Sequence, residues 1–282
     1  MAKYKILCDS TCDMKEFELK GTDIEYIRVP LSIQIGEDIF VDDGTKDTSV
    51  MQDMLDNYDG KTSSACPSPA DWLRVMNGAE NLILVTLSHA VSGCYNSALI
   101  AKEMFEESNP DVNVRVFDTI SGSAKFILIV EEAIRAMKQG LDIDSVCERM
   151  EDVRKKTDVI FIVKNVKNLI SAGRLHHTIG MVIHKLKLNM ISTVNNKGVM
   201  EVLHKVRGSE NIIRKSYDTI IKRGYSGGRV IICHCLNIEG ANLLKDKFLE
   251  KFPCADILII PASAIVGYYA EKNGLVVGYE TV

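Results

Sequence analysis

A chain of 282 residues, 46% of them hydrophobic, exceeds the usual size of one domain and can bury one large core or two moderate ones, which favours two α/β lobes. Its formal net charge of -4 excludes the basic surplus expected of a nucleic-acid footprint, and no apolar run approaches the length needed for stable membrane insertion. The opening MAKYKILCDS runs straight into a strand-like segment without a signal-peptide layout, and eight cysteines at irregular spacing read as reduced, buried thiols, so a cytoplasmic location is expected.

Tyr4 to Cys8 reads as the first strand, with Asp9, Ser10 and Thr11 as loop and capping residues at its carboxyl end. Ile24 to Val29 is a second strand ending at Pro30, and Phe40 to Gly44 is an Asp-Gly turn. Thr48 to Tyr58 carries Val50, Met51, Met54 and Leu55 at helical spacing, with Thr48 or Ser49 as the cap. The loop SACPSP, Ser64 to Pro69, leads into a helix beginning near Ala70.

Leu82 to Ala98, LILVTLSHAVSGCYNSA, is the organising stretch: an apolar β-branched run, then small polar residues through Gly93, then helix-compatible sequence from Cys94. Unpaired N–H groups at a helix start attract anions, so Ser92, Gly93 and Cys94 are candidates to hold one; a plain N-cap and tight turn is the other reading. Val112 to Phe117 is a further strand, and Ser123 to Gln139 a helix stopped by Gly140. This alternation argues for a Rossmann-like parallel sheet, whose ligands bind outside the carboxyl ends of the strands, where Asp9, Ser10, Ser92 and Asp118 fall.

Leu141 to Lys156 reads as an amphipathic helix with Ile143, Val146, Met150 and Val153 on its apolar side, and the domain boundary is placed at its end: 1–156, then 157–282. Val159 to Val163 opens the second α/β domain. Met190 to Val194 and Val199 to Arg207 form a hairpin about Asn195 to Gly198, since Asn and Gly supply positive φ cheaply. Asn211 to Arg223 and Glu239 to Phe252 are helices, Val230 to Cys235 is a strand, and Ile257 to Ile260 is the last clear strand.

Enzymatic and metal chemistry find little support. Cys233, His234 and Cys235 alternate faces on a strand, so one ion could not easily take all three. His177, Met181 and His184 share a helix face beside His176 but lack the HExxH pattern, and suit an exposed or interface face better. A hydrolase using Ser92 or Cys94 with His89 or another histidine as base lacks the GxSxG elbow, and no GxGxxG follows the first strand.

The LTLSxxxSGxYNSA pattern, the Asp9-Ser10-Thr11 triplet, the turn LISAGRL at Leu169 to Leu175 and the arginine after the hairpin, Arg207, occur in the order of the DegV family of bacterial fatty-acid-binding proteins, which the chain resembles over nearly its whole length. The resemblance implies a two-lobed α/β protein that holds a long-chain fatty acid between its lobes and presents the carboxylate to a separate acyl-phosphorylating kinase subunit, with no cofactor and no catalysis of its own. It implies ligand-binding roles for Ser64, Ser92, Gly93, Cys94, Arg207 and Tyr269, with the closing segment 261–282 near the interdomain site. Where the family loop commonly reads TSQPSP, this chain has Ser64, Ala65 and Cys66; Cys94 replaces a threonine, Tyr269 a histidine, and Glu271, Lys272 and Asn273 a Gly-Pro-Gly. A binding or regulatory module for a different small anion is the alternative, and a Ser or Cys hydrolase the less favoured one.

Overall fold

The computed structural model describes residues 2–186 and 188–281, without the side chains at 177, 179, 181, 184, 209 and 210. The helix face of His177, Met181 and His184 therefore lies outside the described side chains. In chain order the first half contains β1 (Ala2–Asp9), β2 (Ile24–Val29), β3 (Ser32–Ile35), β4 (Asp38–Val41), α1 (Thr48–Asp56), β5 (Thr62–Ala65) and α2 (Pro69–Met76). It continues with β6 (Ala79–Thr86), α3 (Cys94–Ser108), β7 (Asn113–Asp118), α4 (Ala124–Lys138) and α5 (Ile143–Lys155).

Strands β2-β1-β6-β7 form the expected all-parallel sheet. Leu7, Leu82 and Leu84 pack on one face and Ile6, Ile83 and Val85 on the other, all fully buried, which is why these strands are continuous apolar runs. A separate antiparallel sheet, β4-β3-β5, departs from the sequence reading, which has a turn at Phe40 to Gly44 and a loop from Ser64. Four-residue strands beside Asp-Gly and proline signals show too few alternations to stand out. Asp47, rather than Thr48 or Ser49, caps α1 by accepting from Ser49 N at 2.8 Å, and Ser68 with Asp71 forms a capping box behind Pro69 on α2.

The second half contains β8 (Thr157–Val163), α6 (Lys167–Ser171), α7 (His177–Lys185), β9 (Asn189–Val194), β10 (Met200–Val206) and α8 (Ser209–Lys222). It ends with β11 (Val230–His234), α9 (Ile238–Lys251), β12 (Ile257–Pro261), α10 (Ala264–Ala270) and β13 (Leu275–Glu280). Its sheet has the order β10-β9-β8-β13-β11-β12; β11 and β12 pair in parallel and the other neighbours antiparallel. The last strand is thus β13, inserted between β8 and β11, and not Ile257 to Ile260. The expected hairpin of β9 and β10 is present, closed by Asn195 N donating to Val199 O at 2.9 Å.

Helix α4 joins the halves. It is buried around most of its circumference, packing against α5 on one side and β13, β11 and β8 on the other. Gly278 permits this approach, because a Cβ there would lie 2.6 Å from both Ala124 C and Lys125 N. One apolar core consequently runs from Ile6 and Val85 through Phe126 and Ile129 to Val159, Ile231 and Val276.

Candidate ligand-binding site

A cavity of about 360 Å³ lies between the carboxyl ends of the parallel strands and the second sheet. The second sheet and α6 supply an apolar wall, built by Phe161 and Val163 of β8, Leu169 of α6, Val194 of β9, Met200 of β10 and Val276 of β13. Ile265 and Val266 of α10, with Leu31 and Leu87, extend that surface. Ser64, Cys66, Ser92, Gly93, Arg174 and Tyr269 also line it. Val163, Leu169 and Val276 are at most 3% exposed and the polar Thr11, Ser88, Ser121 and Ser123 at most 5%, whereas Cys66, Gly93 and Arg174 are open to solvent.

The polar lining is held by short loops that follow β1, β6 and β7. The buried carboxylate of Asp9 accepts from Thr11 N at 3.0 Å, from Leu87 N at 2.6 Å and from the Thr11 hydroxyl, tying the first two loops together. Burial pushes its pKa up to about 6, against the pull of those hydrogen bonds and of Arg28. Ser88 N donates to Ser121 O at 2.8 Å, which joins the third loop, and the Ser88 hydroxyl donates to Gly198 O at 2.9 Å in the hairpin of the second sheet. Ser92 Oγ donates to Cys94 Sγ at 3.2 Å and accepts from Cys94 N at 3.3 Å. Among the described residues nothing accepts from the Gly93 N–H, and a Cβ at Gly93 would stand 3.1 Å from Cys66 Sγ, so glycine keeps that N–H approachable.

Period two along β5 turns Thr62 and Ser64 to one face, where their hydroxyls meet those of Tyr268 and Tyr269 at 2.9 and 2.7 Å. Carboxylates of the first half hold the start of α10: Asp13 accepts from Ser263 N at 2.7 Å, and Asp42 from Ala264 N and Ile265 N at 3.1 and 3.3 Å. Thr48 Oγ1 donates to Ala262 O at 2.8 Å and Gln52 Nε2 to Gly267 O at 3.0 Å. The segment bearing Tyr269 is thereby fixed across the cavity.

Of the residues singled out from the sequence, Ser64, Ser92, Gly93 and Tyr269 line this cavity together. Cys94 does not: its side chain is fully buried beneath Ser92, because the first turn of α3 rotates it into the core. Arg207 does not either, since Val194 and Met200 enter the cavity at the turn end of the hairpin and Arg207 is exposed past the other end of β10, seven residues or roughly 23 Å along the strand. Cys66 and Arg174 are wall residues absent from the expected set. The Gly-Arg turn at Leu169 to Leu175 was the available signal for Arg174, which reaches across to donate to Val91 O. No group of three or more His, Cys, Asp or Glu side chains among the described residues could hold a metal ion, and no helix among them is long and apolar enough to cross a membrane.

Fold and cavity define a class: a two-lobed α/β protein with an apolar ligand chamber at the carboxyl ends of a parallel sheet, open at a polar mouth. The chain belongs to the DegV family, whose family model, described as an uncharacterised protein of that family, matches residues 3–281. A DegV domain-containing protein of Streptococcus pneumoniae is 36% identical over 277 residues, covering 98% of this chain and 99% of that protein. Among solved structures, the S. pneumoniae fatty acid kinase (Fak) B3 protein loaded with linoleic acid superposes with a TM-score of 0.96 at 36% identity, covering 100% of both chains. A DegV family protein from Eubacterium eligens loaded with heptadecanoic acid does so with a TM-score of 0.93 at 28% identity, covering 99% of this chain and 100% of the other.

Proposed function

We propose that this chain binds a long-chain fatty acid between its two sheets and presents the carboxylate to an acyl-phosphorylating kinase subunit, without catalysing the transfer itself. The observation that carries this reading is a mostly apolar cavity between the two sheets whose lining also includes polar groups, among them the solvent-open Gly93 and Arg174. Burying an acyl chain contributes about 0.8 kcal/mol per methylene, on the order of 10 kcal/mol for a long chain before the costs of association. Each hydrogen bond to the charged carboxylate adds roughly 1.5–3 kcal/mol. Chain burial therefore sets affinity, and the mouth sets orientation.

The Ser92 hydroxyl, the Gly93 N–H and the Ser64–Tyr269 hydroxyl pair would receive the carboxylate, with Arg174 supplying positive charge. Residues 1–156 and 157–282 are taken as the two domains, with 261–282 returning across the site. The two fatty-acid-loaded neighbours support the ligand class, and the kinase name of one supports the partner. Free thiols throughout suit a reducing, cytoplasmic compartment.

A hydrolase is disfavoured because the Ser92 hydroxyl donates to Cys94, and His89 pairs with Asp118 instead of reaching the cavity. Titration of the delipidated protein with a homologous series of fatty acids tests the proposal. Affinity should rise with each added methylene; equal affinity for acetate and oleate would favour the small-anion module instead.

A further inference from the structure

The turn that carries Ser92 presents a second group to solvent. Val91 N and Ser92 N both donate to Ser88 O at 3.2 Å, so residues 88 to 92 form one helical turn, and the Ser88 hydroxyl caps its start by accepting from Ala90 N at 3.2 Å. His89 and Ser92 are therefore neighbours on one face of that turn, with roughly 5–6 Å between their Cβ atoms. Ser88, Val91, Ser92 and Gly93 line the cavity, whereas His89 does not, and its side chain is 55% exposed. It stands on the outer rim of the mouth.

His89 is held there by Asp118 at the end of β7. Its Nδ1 lies 2.5 Å from Asp118 Oδ2, and the same carboxylate accepts from His89 N at 3.4 Å and, through Oδ1, from Ile120 N at 2.8 Å. Arg154 donates to the Asp118 carbonyl at 2.7 Å, which fixes the end of the strand. With Nδ1 committed to Asp118, Nε2 is the free nitrogen, and a protonated ring donates outward from it. The exposed Arg174 reaches the same turn, its Nε donating to Val91 O, and it is the one charged side chain lining the cavity among the described residues. Two groups able to carry positive charge, one from each half of the chain, thus flank the place given to the carboxylate.

We propose that His89, positioned by Asp118, forms with Arg174 an anion subsite that receives the phosphoryl group of an acyl phosphate, the product of phosphorylating the bound carboxylate. The proposal rests on the fatty-acid reading above and deepens it. In the transfer a carboxylate oxygen forms a bond to the terminal phosphorus of a nucleoside triphosphate, the bond from that phosphorus to its bridging oxygen breaks, and the electron pair leaves on the nucleoside diphosphate. The single charge of the carboxylate becomes the double charge of a phosphoryl group, carried outward past Ser92 to the rim. A dianion there favours the protonated imidazole and accepts its Nε2–H.

The test is displacement of a fluorescent fatty acid from delipidated full-length protein by palmitate and by (2-oxoheptadecyl)phosphonate, in which a methylene replaces the bridging oxygen of palmitoyl phosphate and blocks hydrolysis. His89→Ala should weaken the phosphonate at least about fivefold, and Asp118→Asn should weaken it in the same direction, while palmitate changes by less than about twofold in either variant. An unchanged phosphonate affinity in His89→Ala would overturn the proposal. Equal weakening of both ligands would also overturn it, since that is what a merely structural tie between the two loops produces. Wild-type protein that binds neither ligand would contradict the fatty-acid reading and the subsite with it, whereas wild-type protein that binds both, with variants that do not discriminate between them, would contradict the subsite alone.

Discussion

Replacing Ser92 by alanine isolates the carboxylate from the chain. In the free protein the hydroxyl has two local bonds, to Cys94 Sγ at 3.2 Å and from Cys94 N at 3.3 Å, so its removal costs about 0.5–2 kcal/mol of stability, as loss of a helix-start hydroxyl does, and leaves the protein folded. In the complex it would also lose one hydrogen bond to a charged group, roughly 1.5–3 kcal/mol, which raises the dissociation constant roughly ten- to 150-fold. The assay is displacement of a fluorescent fatty acid from delipidated protein by oleate and, in parallel, by methyl oleate. The ester buries the same chain without the charge, so the ratio of variant to wild-type dissociation constants should be large for the acid and close to one for the ester. Equal ratios for the two, or an unchanged constant for oleate, would remove Ser92 from the carboxylate site.

Three other perturbations address different parts of the account. Met200→Trp places a large ring in the apolar wall and should weaken oleate more than decanoate in the same displacement assay; equal weakening would move the acyl chain elsewhere. Gly278→Ala brings a methyl group 2.6 Å from the backbone of α4 and should lower stability in urea titration by about 1–3 kcal/mol or more, whereas an unchanged midpoint would mean that β13 and α4 can separate freely. Burial raises the Asp9 carboxyl from 3.8 to about 6, so the folded state keeps a proton there that the unfolded chain releases. Its stabilising effect is complete below the unfolded value and is lost as pH rises through about 6, on the order of 3 kcal/mol in all. Stability of Asp9→Asn relative to wild type should accordingly climb between pH 4 and 7, and a flat difference would contradict the burial argument.

The residues that declared themselves in the sequence did so through local signals. Leu82 to Ala98 carries a β-branched run, small polar residues and a helix start in succession, and the parallel sheet and α3 fall where that order puts them. Strand β13 was hidden because its apolar run is interrupted by Gly278, a residue needed for contact with α4, which is a tertiary requirement. Helix α10 has only seven residues and owes its first turn to Asp13 and Asp42, more than 200 positions away, so its own sequence carries little periodic signal. At the site, adjacency was legible and facing was not. Ser92 and Cys94 are neighbours in any reading, but only the rotation of α3 decides that one meets the cavity and the other the core. Arg207 lies away from the cavity for a related reason: the hairpin is where the sequence puts it, yet only the sheet reveals which of its ends reaches the cavity. Cys66 reads as a lost amide in a proline-rich loop, and only the fold sets it against Gly93 at the start of α3.

The most direct test of the central claim is mass spectrometry of an organic extract from freshly purified protein, set against a mock purification. A chain held against the apolar wall of the cavity should survive purification, so the account predicts a fatty acid at about one equivalent per chain. An empty extract, together with no rise in melting temperature when long-chain fatty acids are added, would contradict it.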